Sequence, residues 1–333
     1  MSQTIKTNTQ AVIRRREINM LLVLCALCVM PIYLYGIQVL WIIASAVVTA
    51  FAAEYVCTLL RGQRRIQKGD FSHLITALIT ALLMPASAPV WMVVAAVLFG
   101  ICIAKHPFGG KGMNIFNPAA AGIAFVTICW PQVMNEYPQP LSQTLIFSTT
   151  PASTLRVGGT PNIGVFDLLL GNFAGPMGAT VMIVLAACLL FLIFRRTVSL
   201  RVIVPVIAIV GFCAVFFPRL MTGRMHSLEF EFASGALVFG LTFMASDPCT
   251  LPKTGSGKII YGVLLGIFVV LMRRFGSFDV EFVFALLLAN AFSPSCDRYA
   301  RKLRFAWSRM KRRLRKSHHH AEASAEKAGD AVE

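Results

Sequence analysis

Charge is scarce in this chain. Asp, Glu, Lys and Arg make up 14% of its 333 residues, where a soluble globular domain carries about 25%. Residues 18–53 hold no charge at all, although roughly 20 apolar residues already suffice to cross a bilayer. The deficit excludes a soluble globular enzyme and marks an integral membrane protein. Catalytic signatures are also missing: no Ser/His/Asp grouping, no HExxH and no cluster at metal-ligand spacing occurs, so no hydrolytic site and no metal site is expected. No cleaved leader is expected either, because the first apolar run follows Arg14, Arg15 and Arg16 and leads straight into a second.

What is abundant is apolar surface, at 56% of residues, and positive charge, at a net +16. The nine cysteines lie mostly inside apolar runs, where Cys behaves as a small hydrophobe. Cys25 and Cys28 have CxxC spacing without a second pair, which favours packing over a metal. Much of the basic charge sits in RYARKLRFAWSRMKRRLRK, after the last apolar segment. In a membrane protein that placement signals a cytoplasmic tail attracted to anionic lipid, not a nucleic-acid partner.

Runs bounded by charge, Pro or Gly give about ten membrane segments: 20–36, 37–58, 71–85, 89–105, 118–131, 165–194 with a break, 202–217, 232–247, 258–272 and 278–293. With the N-terminus inside and the segments alternating, 26 of the 31 basic residues fall on the inner side. Only Arg156, Arg219, Arg224, Arg273 and Arg274 fall outside. The division expected is a cytoplasmic tail 1–19, a first membrane half 20–131, an exposed extracytoplasmic loop 132–164, a second half 165–295 and a basic cytoplasmic tail 296–333.

The short segments 71–85 and 232–247 both end in proline-rich breaks, LLMPASAP and FMASDPCTLP. Each precedes a longer apolar helix, a Phe-Gly turn (Phe108-Gly109; Phe275-Gly276) and another helix. This reads as an internal repeat. The expected fold is therefore all-α and polytopic, with two inverted five-helix halves whose broken half-helices line a central site.

Within HPFGGKGMNIFNPAAAG, Gly110 and its neighbouring glycines admit a close ligand, and Lys111 can face a phosphate or a ring carbonyl. Asn114 and Asn117 offer amides, and Pro118 suits a first helical turn. KTGSGK (253–258) fails as a phosphate loop, since Ile259 stands where Ser or Thr is needed. Intramembrane carboxylates are the remaining candidates. Glu54 is expected to reach the inner interface, Asp167 to favour a helix start, and Asp247, between broken helix ends, to serve an ion pathway.

The order of FGGKGMNIFNPAAAG, LLLGNFAGPMGAT, FMASDPCTLPKTGSGKIIYGVLLGIFVVLMRRFG and FALLLANAFSPSCDR resembles the D subunit of the bacterial Rnf electron-transport complex. That family is homologous to the B subunit of the sodium-translocating NADH:quinone reductase. The resemblance implies an inner-membrane subunit of a ferredoxin:NAD+ oxidoreductase that relays electrons through covalent FMN, coupled to Na+ or H+ transport. It also implies partners of the A, B, C, E and G types, a flavin transferase for maturation, and a second, non-covalent flavin such as riboflavin. Family members carry FMN on a threonine of a Ser-Gly-Ala-Thr-Pro-Leu type motif. Ser148-Thr149-Thr150-Pro151 aligns best, with Leu155 and Arg156 behind it, so the implied attachment residue is Thr150. Departures are present: Thr149 and Phe147 replace small residues, Ala152 replaces Leu, and the family's upstream Asp is missing. Thr149 and Thr154 are rival positions. A secondary transporter or channel, and a flavin-free scaffold of a redox complex, are the rival functions.

Overall fold

The computed structural model describes residues 2–62, 70–142, 146–219 and 223–329, without the side chains of 2–10 and 312–329. Residues 63–69, whose basic side chains enter the inner charge count, and residues 143–145 of the expected loop 132–164 lie outside that description. The structure is all-α, apart from one two-residue hairpin. Helix α1 (Ser2–Tyr35) carries the N-terminal tail and the first apolar run in one rod. Gly36, at φ 78, turns the chain directly into α2 (Ile37–Leu60). That left-handed conformation falls on the expected hairpin turn, and glycine adopts it without strain.

Helix α3 (Ser72–Leu83) is only 12 residues long and stops where Met84 turns extended ahead of Pro85. A helix of that length rises about 18 Å, roughly half of a bilayer. Its final carbonyls have no partner within the helix. They are met from the second half of the chain: Met177 N–H donates to Met84 O at 3.2 Å and Gly178 N–H to Leu82 O at 2.7 Å. Helix α4 (Val90–Leu98) runs into a π-turn at Phe99–Ile103, and α5 (Pro118–Cys129) starts at Pro118 with Asn117 as its cap. Helices α4 and α5 touch backbone to backbone, since a Cβ on Gly122 would sit 2.2 Å from Ala96 O. Such contact is how membrane helices gain dispersion energy where lipid offers no hydrophobic drive.

Helix α6 (Pro131–Asn135) leads into a hairpin of β1 (Tyr137–Pro138) and β2 (Phe147–Ser148), with Tyr137 opposite Ser148. Helix α7 (Pro151–Arg156) follows. The expected break in segment 165–194 is present: α8 (Val165–Leu170) and α9 (Met182–Phe194) are joined by the buried, non-helical stretch that closes α3. Helix α10 (Leu200–Phe216) is continuous. Of the expected segment 232–247, Leu237–Phe243 forms helix α12, while Phe232 and Ala233 close a separate helix, α11 (Arg224–Ala233), parted from it at Ser234–Ala236. Gly235 at φ 69 makes that break, which an apolar count alone does not see. Helices α13 (Gly255–Phe275) and α14 (Glu281–Gly329) complete the chain, and α14 carries the basic tail as one continuous helix.

Among the described residues, three helical stretches are long and apolar enough to cross a membrane, 11–35, 37–60 and 255–275, and five further apolar helices are shorter. The interior is built from Leu82, Leu83, Met84, Met92, Phe239, Phe243 and Phe282, all essentially inaccessible. Large apolar side chains such as Trp41, Phe194 and Phe212 are exposed around the outside, as lipid-facing positions are in a polytopic membrane protein.

Candidate functional site

Of the motif Ser148-Thr149-Thr150-Pro151, the implied attachment residue Thr150 turns inward. Thr150 is extended, at φ −77 and ψ 155, as a residue before proline must be. Its Oγ1 caps α7 by accepting from Ser153 N–H at 3.0 Å, and the same hydroxyl donates to Asp279 Oδ2 at 2.5 Å. Asp279 comes from the turn between α13 and α14, and its other oxygen takes Arg156 Nη2 at 2.7 Å. Arg156 Nη1 is held in turn by Ser277 O at 2.8 Å. Threonine, carboxylate and guanidinium thus form one chain of charge-assisted hydrogen bonds, the stronger kind.

The loop expected to be exposed is buried at this point: Thr150 is only 4% and Asp279 3% accessible. Pro151 and Leu155 pack α7 inward and draw the threonine with them. A small cleft opens beside it, walled by Phe173, Gly175, Pro176 and Thr180 of the α8–α9 break and by Gly235 of the α11–α12 break. Gly235 is required there, since a Cβ would lie 2.5 Å from Glu281 Oε1. Nearby, the Tyr137 phenol is fully buried and held well above its ordinary pKa, first by burial and then by Asp279 and Glu281. Two carboxylates, Asp279 and Glu281, thus lie close to the buried phenol. Ser148 is exposed on β2 and belongs to no part of this chain of bonds. Thr149 is exposed, and Thr154 bonds its hydroxyl to Thr150 O at 2.9 Å.

Gly110, Lys111, Asn114, Asn117 and Asp247 gather elsewhere. Lys111 Nζ sits 2.8 Å from Glu17 Oε1 and 3.1 Å from Asp70 Oδ1, so its charge is already paired. Gly110 is buried against Arg61, with no room for a Cβ beside Arg61 Nη1. Asn117 Oδ1 accepts from Ala120 N–H at 3.2 Å, which is a helix cap. Asn114 Nδ2 donates to Phe116 O at 3.0 Å and its amide also reaches Asp247. Asp247 Oδ1 accepts from Cys249 N–H at 3.1 Å in the turn after α12. Not far off, Tyr261 donates to Asn290 Oδ1 at 2.7 Å, and Asn290 Nδ2 has no partner among the described residues. No hydrogen bond or ion pair among the described residues joins this group to the Thr150 cluster.

Comparison with known proteins identifies the family. The family described as NQR2, RnfD, RnfE matches residues 1–306. The chain belongs to that family. It is 32% identical over 314 residues to the D subunit of the ion-translocating oxidoreductase complex of Actinobacillus succinogenes, covering 81% of this chain and 87% of that protein. It is 29% identical over 300 residues to the D subunit of the proton-translocating ferredoxin:NAD(+) oxidoreductase complex of Clostridium ljungdahlii (86% and 90% covered). It is 30% identical over 284 residues to the Na(+)-translocating counterpart of Acetobacterium woodii (84% and 86% covered).

Two features of this family member escaped the sequence reading. Asp279 lies 129 residues from Thr150, and nothing local marks it. Glu54 was expected at the interface; it is 4% accessible, with Lys105 Nζ at 2.8 Å and His106 Nε2 at 3.1 Å from the same oxygen. The signal for Glu54 was its place in the apolar run of α2, where an ionised group needs a buried partner.

Proposed function

We propose that the chain is the D-type membrane subunit of an ion-translocating ferredoxin:NAD+ oxidoreductase, relaying electrons through FMN esterified to Thr150 while the complex moves Na+ or H+. The observation that carries this reading is the buried Thr150 hydroxyl, bonded at 2.5 Å to Asp279 with Arg156 beside it. The residues fit the group. A phosphoester needs a hydroxyl, an anion needs a cation, and a small cleft between Phe173, Gly175 and Gly235 adjoins the hydroxyl. Thr150 would bear the phosphate and Arg156 would hold it. Bound there, flavin supplies one-electron exchange at a potential set by its surroundings. Asn114, Asn117, Asp247 and the broken helix ends make the place for a second, non-covalent flavin such as riboflavin, with Asp247 on the ion route. The subunit acts as part of the enzyme and not alone, with A-, B-, C-, E- and G-type partners and a flavin transferase that matures it.

The same proposal takes the chain as ten membrane segments in two inverted halves of the inner membrane, with both termini cytoplasmic. Packing supports the repeat: α4 packs on α2 and α5 as α13 packs on α10 and α14. Charge supports the orientation. Arg156, Arg219 and Arg273, assigned outside, are all tied to carboxylates, with Arg273 shared between Glu231 at 2.7 Å and Glu281 at 2.9 Å. The orientation itself is taken from the division of basic residues, 26 of 31 on the inner side.

Ultraviolet fluorescence of the denatured protein on a gel, after expression with a flavin transferase, separates a flavin relay from a transporter or scaffold. A fluorescent band is expected. Intact mass then assigns it: Thr149→Ala and Thr154→Ala keep an FMN-sized adduct and Thr150→Ala has none. An adduct in Thr150→Ala overturns the assignment.

A further inference from the structure

The geometry points to Asp279 as the proton acceptor that readies Thr150 for its own modification, replacing within the fold the carboxylate that the local motif lacks. This rests on the reading of Thr150 as the flavin-bearing residue and names the group that makes that threonine, among its neighbours, reactive.

Three observations carry it. First, a threonine hydroxyl is a weak nucleophile until a base within hydrogen-bond reach takes its proton, and Asp279 Oδ2 lies 2.5 Å from Thr150 Oγ1. A carboxylate only accepts, so the hydroxyl proton points at Asp279. Second, the acceptor is fixed. Arg156 takes Asp279 Oδ1 at 2.7 Å and is itself held by Ser277 O at 2.8 Å, leaving Oδ2 for the threonine. Third, Thr150 Oγ1 is oriented from its other side by Ser153 N–H at 3.0 Å and adjoins the cleft. Among the described residues neither rival threonine has such an acceptor: Thr149 is exposed and Thr154 gives its hydroxyl to Thr150 O.

The step balances without redox change. Its co-reactant is a flavin dinucleotide, in which the FMN phosphate is activated as a phosphoanhydride. Thr150 Oγ1 forms a bond to the flavin-side phosphorus and the anhydride P–O bond breaks. The nucleoside monophosphate leaves with that electron pair, and the hydroxyl proton passes to Asp279 Oδ2. Asp279, now neutral, can donate the proton to the new phosphoester instead of repelling it, and Arg156 is free to turn from carboxylate to phosphate.

The test uses full-length protein made in cells lacking a flavin transferase, purified in detergent, then given purified transferase and flavin adenine dinucleotide. Intact mass follows the FMN adduct with time. Asp279→Asn keeps the shape and a hydrogen-bond acceptor but cannot take the proton, and adduct formation should slow by at least about ten-fold, below the full contribution of a positioned base. Asp279→Glu should recover part of the rate, which a merely structural role would not require. A smaller slowing, or faster loading, in a monodisperse Asp279→Asn protein overturns the proton acceptor and leaves Thr150 in place. Failure of the wild type to gain any adduct overturns both. Should Asp279→Asn not run as a monodisperse species, Arg156→Gln decides: slowing supports the orienting pair, and a wild-type rate overturns it.

Discussion

Glu54 and Lys105 face each other at 2.8 Å inside the first half of the protein, each less than 5% accessible, and His106 shares the same carboxylate oxygen at 3.1 Å. Lys105 also donates to Ser72 Oγ at 2.8 Å, which ties α2 and the end of the π-turn to the start of α3. Removing one member of such a pair leaves the other charge buried and uncompensated, which costs about 3–5 kcal/mol. Glu54→Gln should therefore lower the thermal midpoint in detergent strongly. The double change Glu54→Gln with Lys105→Met, which removes both charges, should recover most of the loss. A double variant as unstable as the single one would show that the pair is not coupled.

Asp297 offers a pH test at the far end of α13. Its carboxylate accepts from Lys253 N–H at 2.8 Å, Thr254 N–H at 3.0 Å and Thr254 Oγ1 at 2.6 Å. Burial pushes its pKa up, but the Thr254 hydroxyl and the two amides outweigh that and hold it below the usual aspartate value. A lowered folded pKa means stability that is fully present above the ordinary aspartate pKa of about 4 and lost as pH falls below that value through the lower folded pKa. The stability gap between wild type and Asp297→Asn should thus be full near pH 7 and shrink below about pH 4. Thermal melts across that range measure it, and a gap independent of pH would remove the ionised cap from the account.

Much of the architecture was legible because it follows from local rules. The hairpin turn needed Gly36, the stop of α3 needed the Met84-Pro85 step, and Asn117-Pro118 is a helix start by cap chemistry. Thr150 was legible only through its resemblance to a known motif. What escaped was whatever depends on which elements meet. Asp279 reaches Thr150 only because the α13–α14 turn lies over α7, and Lys105 reaches Glu54 because the π-turn that precedes it packs on α2. The burial of Thr150 escaped for a related reason. A polar run predicts solvent, but six residues of amphipathic helix with Pro151 and Leu155 inward are enough to reverse that.

Asp247 tests the interior group. Asp247→Asn keeps an oxygen to accept from Cys249 N–H, so the turn after α12 should survive and the complex should assemble. Loss of the charge beside Asn114 is expected to impair ion-coupled electron transfer, because a carboxylate retained among broken helices is costly unless it is used. Electron transfer and ion uptake in membrane vesicles check it. Wild-type coupling in the variant would leave Asp247 as a turn cap alone.

Orientation is the remaining expectation, and it can be tested independently of flavin. Leu141 and Ser142 are exposed and lie in the same 132–164 region as Arg156. If 26 of the 31 basic residues mark the cytoplasmic side, that region faces outward. A cysteine at Ser142, in a background lacking the exposed Cys25, Cys129 and Cys249, should react with an impermeant maleimide on intact spheroplasts. A cysteine at Ser308, on the basic extension of α14, should react only after permeabilisation. The reverse pattern would invert the molecule in the membrane, and would place Thr150 and its Asp279 partner on the cytoplasmic side.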